Sequence, residues 1–247
     1  ALTKENVTKQ NTTLKGIGDD AAVIKNEEEV TLVSTDMLVE GIHFDLMYTP
    51  LKHLGYKSVV VNLSDIFAMN AIPSQITVSV AISNKYSLEA MQEFYDGIFT
   101  ACKMYNVDLI GGDTTSSPKG MVISITAIGQ ARANKVVFRN GAKKGDIICV
   151  TGDLGASYLG LQILEREKQV YLAHPGVQPE LDKSQYLIER QLKPEAQRGA
   201  IEFFSREGVV PTSMIDISDG LASELLHICQ QSGTGAYIEE GKVPIHP

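Results

Sequence analysis

Tryptophan is absent from the 247 residues, and cysteine occurs only three times, as Cys102, Cys149 and Cys229. The three are far apart, odd in number and set in apolar surroundings, which argues against a disulfide framework or a CxxC metal site and for core thiols. No run approaches the roughly 18 apolar residues that a membrane helix requires, so no membrane partner is expected. No basic, apolar leader opens the sequence, and the expected location is cytoplasmic. Positive charge is in deficit: 22 Lys and Arg stand against 30 Asp and Glu, for a formal net charge of −8. A field that gathers polyanions is therefore missing, which argues against nucleic acid as a partner. Phosphorylated small molecules stay admissible where divalent cations stand between carboxylate and phosphate. Also missing are GxxxxGK[ST] and the GxGxxG, HRD and DFG set, so a nucleotide-using enzyme would need some other fold.

What is present is ordinary globular composition, 43% apolar and 21% charged, at a length that favours two domains. Residues 30–36, 75–82 and 121–129 alternate apolar with small polar side chains, as half-buried strands do. Between them, 51–70 follows Pro50 as a helix, and Ser87 caps a second helix that buries Leu88, Met91, Phe94, Ile98 and Cys102 at helical spacing. VDLIGGD then reads as a short strand. Residues 1–133 are thus expected to form an α/β domain with a mixed sheet. A basic, turn-rich stretch (RARANKVVFRNGAKKGD) marks the boundary, and 134–247 is expected to be a second α/β domain. It begins with a strand, DIICVTGD, and continues through helices near 154–168 and 183–206 and one from DISDG to Gln231. With so few strands, its sheet reads as unfinished, and a further C-terminal segment is expected beyond it.

Seven aspartates recur beside Gly, Ser or Thr: Asp19 and Asp20 (GIGDDAAVI), Asp36 (STDM), Asp65 (NLSD), Asp113 (IGGDTT), Asp216 and Asp219 (DISDG). All but Asp65 are expected near strand ends, where α/β folds assemble ligand sites. Asp65 is the most informative, because Gly55, Ser58, Asn62 and Asp65 form one stripe on a helix whose other faces are apolar. A buried carboxylate needs a cation or a metal; a Lys or Arg could supply it, but the small neighbours suggest close approach of a ligand. Paired glycines in IGGDTT would let backbone near a ligand, and its threonines offer hydroxyls. Oxygen-only donors without histidine suit Mg²⁺ and phosphoryl transfer better than zinc chemistry.

GIGDDAAV, STDMLVEGIHF, NLSDIFAMNA, LIGGDTT, FRNGAKKGD, VTGDLG and DISDGL, in this order, resemble the thiamine-monophosphate kinase family of the aminoimidazole ribonucleotide synthetase superfamily. The likeness runs from about residue 16 to 240. It implies that family's two-domain α/β fold, pairing of N-terminal domains into a homodimer, and transfer of the ATP γ-phosphoryl to thiamine monophosphate. It also implies several Mg²⁺ ions on Asp20, Ser34, Thr35, Asp36, Asp65, Asp113, Asp216 and Asp219, with Asp19 adjoining. ATP contacts would fall on Tyr95, Gly112, Arg139 and Ser218, and the substrate contact on His43. No general base is implied. Family members usually continue into a GGEDY-like motif that adds substrate contacts. A selenophosphate synthetase, a hydrogenase-maturation enzyme and a non-catalytic ion-binding paralogue remain alternatives; the first would be expected to carry a reactive Cys before GDD, where ALTKENVTKQNTTLK has none.

Overall fold

The computed structural model describes residues 10–245. Its frame is one six-stranded sheet of β1 (Thr13–Lys15), β2 (Ala22–Asn26), β3 (Glu29–Val39), β4 (Ile72–Ile82), β5 (Asp108–Ser116) and β6 (Val122–Arg132). The order is β1-β2-β3-β6-β4-β5, antiparallel throughout except for the β4–β5 pair. That parallel pair requires a crossover, and α2 (Leu88–Tyr105) supplies it. Ser87 caps α2 through the Ala90 amide, as its sequence position implies, and Asn106 ends it in the left-handed conformation at φ 56°.

Alternation decides which side is buried. Val30 and Leu32 of β3, Ile76, Val78 and Val80 of β4, and Ile123, Ile125 and Ala127 of β6 point to one face. There they meet α1 (Leu51–Ala68), with Leu54, Leu63 and Ile66, and α2, with Phe94 and Ile98, in one continuous core. The two helices cross backbone to backbone: a Cβ on Gly55 would lie 1.9 Å from the Phe94 carbonyl oxygen, and one on Gly97 would lie 1.9 Å from that of Lys52. The other face stays open. Thr35 of β3 and Thr126 of β6 bond to one another there, and Met37 is 56% exposed.

Beyond β6 come α3 (Ala156–Ala173), α4 (Gln185–Leu192), α5 (Arg198–Glu207) and α6 (Leu221–Ser232). Leu164, Ile188 and Leu192 join α3 to α4, while Ile201 of α5 enters the main core. The strand expected from Asp146 does not form. A single bridge, Leu154 to Ile245, is the extent of pairing there among the described residues, and Ile147 is 87% exposed. A short apolar run alone does not make a strand, because the ladder needs a neighbour to satisfy its amides and carbonyls. Among the described residues, no helix is long and apolar enough to cross a membrane.

Candidate functional site

Three of the seven aspartates converge. Carboxylate oxygens of Asp20, Asp65 and Asp216 lie within 4.8 Å of one another. Asp20 comes from the turn before β2, Asp65 from the last turn of α1, and Asp216 from the irregular segment before α6. Like charges this close raise one another's pKa, and burial adds to the effect.

Each carboxylate is handled differently. Asp20, its side chain wholly buried, receives a two-pronged ion pair from Arg139, Nε to Oδ2 at 3.0 Å and the terminal nitrogen to Oδ1 at 2.6 Å. Asp65 has no such cation among the described residues; the Ser34 hydroxyl donates to it. Burial lifts its pKa to about 8, helped by the charges of Asp216, Asp36 and Asp20 and opposed by the Ser34 bond. Asp216 is raised as well, first by burial and then by Asp20, although the Ser64 hydroxyl donates to it at 2.8 Å. The cluster therefore holds more negative charge than its protein partners neutralise.

The neighbouring polar residues arrange this cluster. Asn62 accepts the Asp36 amide through Oδ1 at 2.9 Å and donates to the Ser58 carbonyl, while Ser58 donates to the Gly55 carbonyl. The small stripe on α1 thus divides in function. Gly55 admits α2 rather than a ligand, correcting the expectation, and only the Asp65 end reaches the site. Asp36 lies inside β3 rather than at its end, with its pKa raised by burial. Thr35 turns its hydroxyl to the Ile125 carbonyl, away from Ser34, as alternation demands. Asp19 pairs with Lys15 at 3.1 Å and accepts the Arg139 amide at 3.3 Å.

Asp113 lies elsewhere. It is inside the edge strand β5, opposite Ser79, three strands from β3 and hence about 14 Å away at ordinary strand spacing. There it lines a cavity of about 520 Å³ with Tyr95, Gly111 and Gly112. Gly112 is required by the backbone: at φ 157° any Cβ would fall 1.7 Å from the Val78 carbonyl oxygen. Asp219 also stays outside the three-carboxylate group. The Ser218 and Asp219 amides donate to the buried Glu224 carboxylate at 3.2 and 2.8 Å. Glu224 thereby does the capping that Ser218 or Asp219 could have done, and leaves their side chains available. His43 sits in the turn after β3, where its Nδ1 accepts the Val39 amide at 3.0 Å.

Sequence reasoning missed Ser64 and Glu224. Glu224 carried a signal, an acid in the first turn of a helix that follows Gly, able to reach back to free amides. Ser64 carried none, because its value comes from a partner 152 residues away.

Arg139→Ala is expected to lower stability in metal-free solution by about 1–3 kcal/mol, because the buried Asp20 loses its cation. Urea unfolding with and without excess Mg²⁺ checks this, and added Mg²⁺ should recover part of the loss.

A mixed sheet backed by two helices thus gathers aspartates beside β2, α1 and the lead into α6. The family described as "AIR synthase related protein, N-terminal domain" matches residues 18–131. Thiamine-monophosphate kinase of Bacillus subtilis strain 168 is 37% identical over 235 residues, covering 94% of this chain and 69% of the relative. The crystal structure of thiamine-monophosphate kinase from Stenotrophomonas maltophilia K279a aligns with TM-score 0.78 at 31% identity, over 96% of this chain and 72% of that one. "AaThiL complexed with AMPPCP and TMP" aligns with TM-score 0.77 at 32% identity, over 89% and 66%. The chain belongs to the thiamine-monophosphate kinase family, and it spans about two thirds of the length of these relatives.

Proposed function

We propose that this chain carries the ATP and Mg²⁺ machinery of an enzyme that phosphorylates thiamine monophosphate to thiamine diphosphate. The observation that carries the proposal is the meeting of Asp20, Asp65 and Asp216 within 4.8 Å, with Asp65 paired to no Lys or Arg among the described residues. Hard oxygen donors and surplus negative charge fit Mg²⁺, which Asp20, Asp65 and Asp216 would hold together, with Ser34, Asp36 and Asp219 at the rim. When bound, Mg²⁺ screens the repulsion between donor and acceptor phosphates and steadies the charge of the transition state.

The chain's own residues bind and orient. The cavity beside Tyr95, Gly112 and Asp113 would take part of the nucleotide, with Ser218 near its phosphates. Arg139, already facing the cluster, offers its guanidinium to phosphate oxygens. His43 would contact thiamine monophosphate. An oxygen of the acceptor phosphate attacks the γ-phosphorus, the bond to the β,γ-bridging oxygen breaks, and ADP leaves with that electron pair. The acceptor oxygen is already ionised at neutral pH, so no general base is required. The open sheet face, with Met37, Thr35 and Thr126, would pair with a second copy in a homodimer. Domains at 1–133 and 134–247 and a cytoplasmic location complete the proposal.

With ATP and excess Mg²⁺, thiamine monophosphate should become thiamine diphosphate, measured by chromatography beside ADP release. Free thiamine should be left largely untouched, and EDTA should stop the reaction. ADP release that requires selenide or a formylglycinamidine nucleotide instead would overturn the assignment in favour of a sister enzyme.

A further inference from the structure

Glu40, directly after β3, stands where three parts of the fold meet. Its carboxylate accepts hydrogen bonds from Lys85 Nζ at 2.5 Å, from the Tyr86 hydroxyl at 2.5 Å and from the Met121 amide at 2.7 Å. Its own amide donates to the Met121 carbonyl at 2.9 Å. Gly120, at φ 66°, makes room, since a Cβ there would lie 2.9 Å from Glu40 Oε2. Burial by itself would raise the carboxyl pKa, but the bonds from Lys85, Tyr86 and Met121 outweigh it and hold the group below the usual range. One side chain thus ties the end of β3 to the connection before α2 and to the start of β6.

The turn that begins at Glu40 carries His43. Gly41 donates to the Phe44 carbonyl at 2.8 Å, and the Ile42 and His43 amides both donate to the Val39 carbonyl, at 3.1 and 2.9 Å. Phe44 is buried and anchors the far end, while His43 is exposed. Because Nδ1 of His43 accepts the Val39 amide, it cannot carry a proton while that bond lasts. The neutral ring is therefore the Nε2–H tautomer, with Nε2 as the donor available to a ligand.

We infer that Glu40 is a positioning residue: it holds the 40–44 turn so that His43 meets the acceptor phosphate ester as an Nε2–H donor. The inference rests on the proposed role of His43 as an acceptor contact. Glu40 would then govern use of the acceptor and leave use of ATP alone.

The test combines ring ¹⁵N NMR of His43 with steady-state kinetics in Glu40→Ala, Glu40→Gln, Tyr86→Phe and His43→Ala. Wild type should show the Nε2–H pattern, and Glu40→Ala a mixture of tautomers. Glu40→Ala should raise KM for thiamine monophosphate about tenfold, as loss of one placed hydrogen bond does, with KM for ATP unchanged. Tyr86→Phe, which removes one bond of three, should act in the same direction to a smaller extent, and it keeps the test open if Glu40→Ala fails to fold. Glu40→Gln should recover part of the loss. In the His43→Ala background the Glu40→Ala effect should vanish. An unchanged tautomer in folded Glu40→Ala, equal rises in both KM values, or full additivity with His43→Ala would overturn the positioning role. A His43→Ala protein with unchanged acceptor KM would instead overturn the contact on which the inference rests, with the NMR result still deciding whether Glu40 sets the tautomer.

Discussion

Asp65→Asn is expected to lower turnover about a thousandfold or more while making the metal-free protein more stable. Both follow from one feature, a buried carboxylate with the Ser34 hydroxyl for a partner and three other carboxylates pressing on it. If Mg²⁺ is held there, replacing a charged ligand by an amide removes charge stabilisation that electrostatic sites supply in thousandfold amounts. Without metal the same substitution removes the cost of either burying that carboxylate as an ion or protonating it on folding, a gain on the order of 1–3 kcal/mol, or about 2–4 °C for each kcal/mol at this chain length. The pH dependence has a definite sign. Asp65 titrates near 8 in the folded chain against an ordinary 3.8, so between those values the folded state holds a proton that the unfolded state has lost. Stability of the metal-free protein should therefore fall as pH rises from about 4 to about 8, and Asp65→Asn should flatten that slope. Thermal melts in EDTA across this range, beside turnover in Mg²⁺, measure both. A variant that unfolds but keeps its activity per folded molecule would make Asp65 structural.

The other large effect lies far from the chemistry. Gly55→Ala should destabilise the protein by about 3 kcal/mol or more, and Gly97→Ala comparably, measured by urea unfolding. At each position the new methyl would lie 1.9 Å from a carbonyl oxygen of the facing helix. Backbone cannot move aside as a flexible side chain can, so α1 and α2 must separate along the contact that covers the sheet. Because α1 also carries Asn62, Ser64 and Asp65, some loss of Mg²⁺ affinity should accompany the loss of stability. If both variants match wild type in urea, the helices do not pack as closely as described.

The stripe Gly55, Ser58, Asn62, Asp65 shows how far a sequence can be read. Helical spacing places the four on one side of α1, and charge in an apolar helix singles out Asp65, which the fold brings beside Asp20 and Asp216. Nothing in the spacing says that α2 seats on Gly55 while Asp65 faces two other carboxylates, since both partners lie far along the chain. The aspartate motifs divide in the same way. Gly-, Ser- and Thr-flanked acids are visible as a set, yet Asp113 belongs to the opposite edge of the sheet from β1 and β2, and strand order, which depends on pairing across the fold, makes that separation. Arg139 is legible as a phosphate-binding type of residue in a basic turn, whereas its two-pronged bond to Asp20, 119 residues away, is not.

Local chemistry settles within the sequence itself: alternation sets β3, β4 and β6, the Ser87 cap starts α2, and the acid-rich, histidine-free motifs supply the oxygen-only donors on which the proposed use of Mg²⁺ and phosphate rests. These depend on residues a few positions apart, whose spacing the covalent chain fixes. Tertiary structure alone decided that DIICVTGD stays irregular for want of a pairing neighbour, that Asp20, Asp65 and Asp216 meet while Asp113 and Asp219 stand apart, and that Glu40 grips three segments at once. Each of those outcomes depends on distances between residues remote in sequence, which are set only when the sheet order and the helix crossing bury the core.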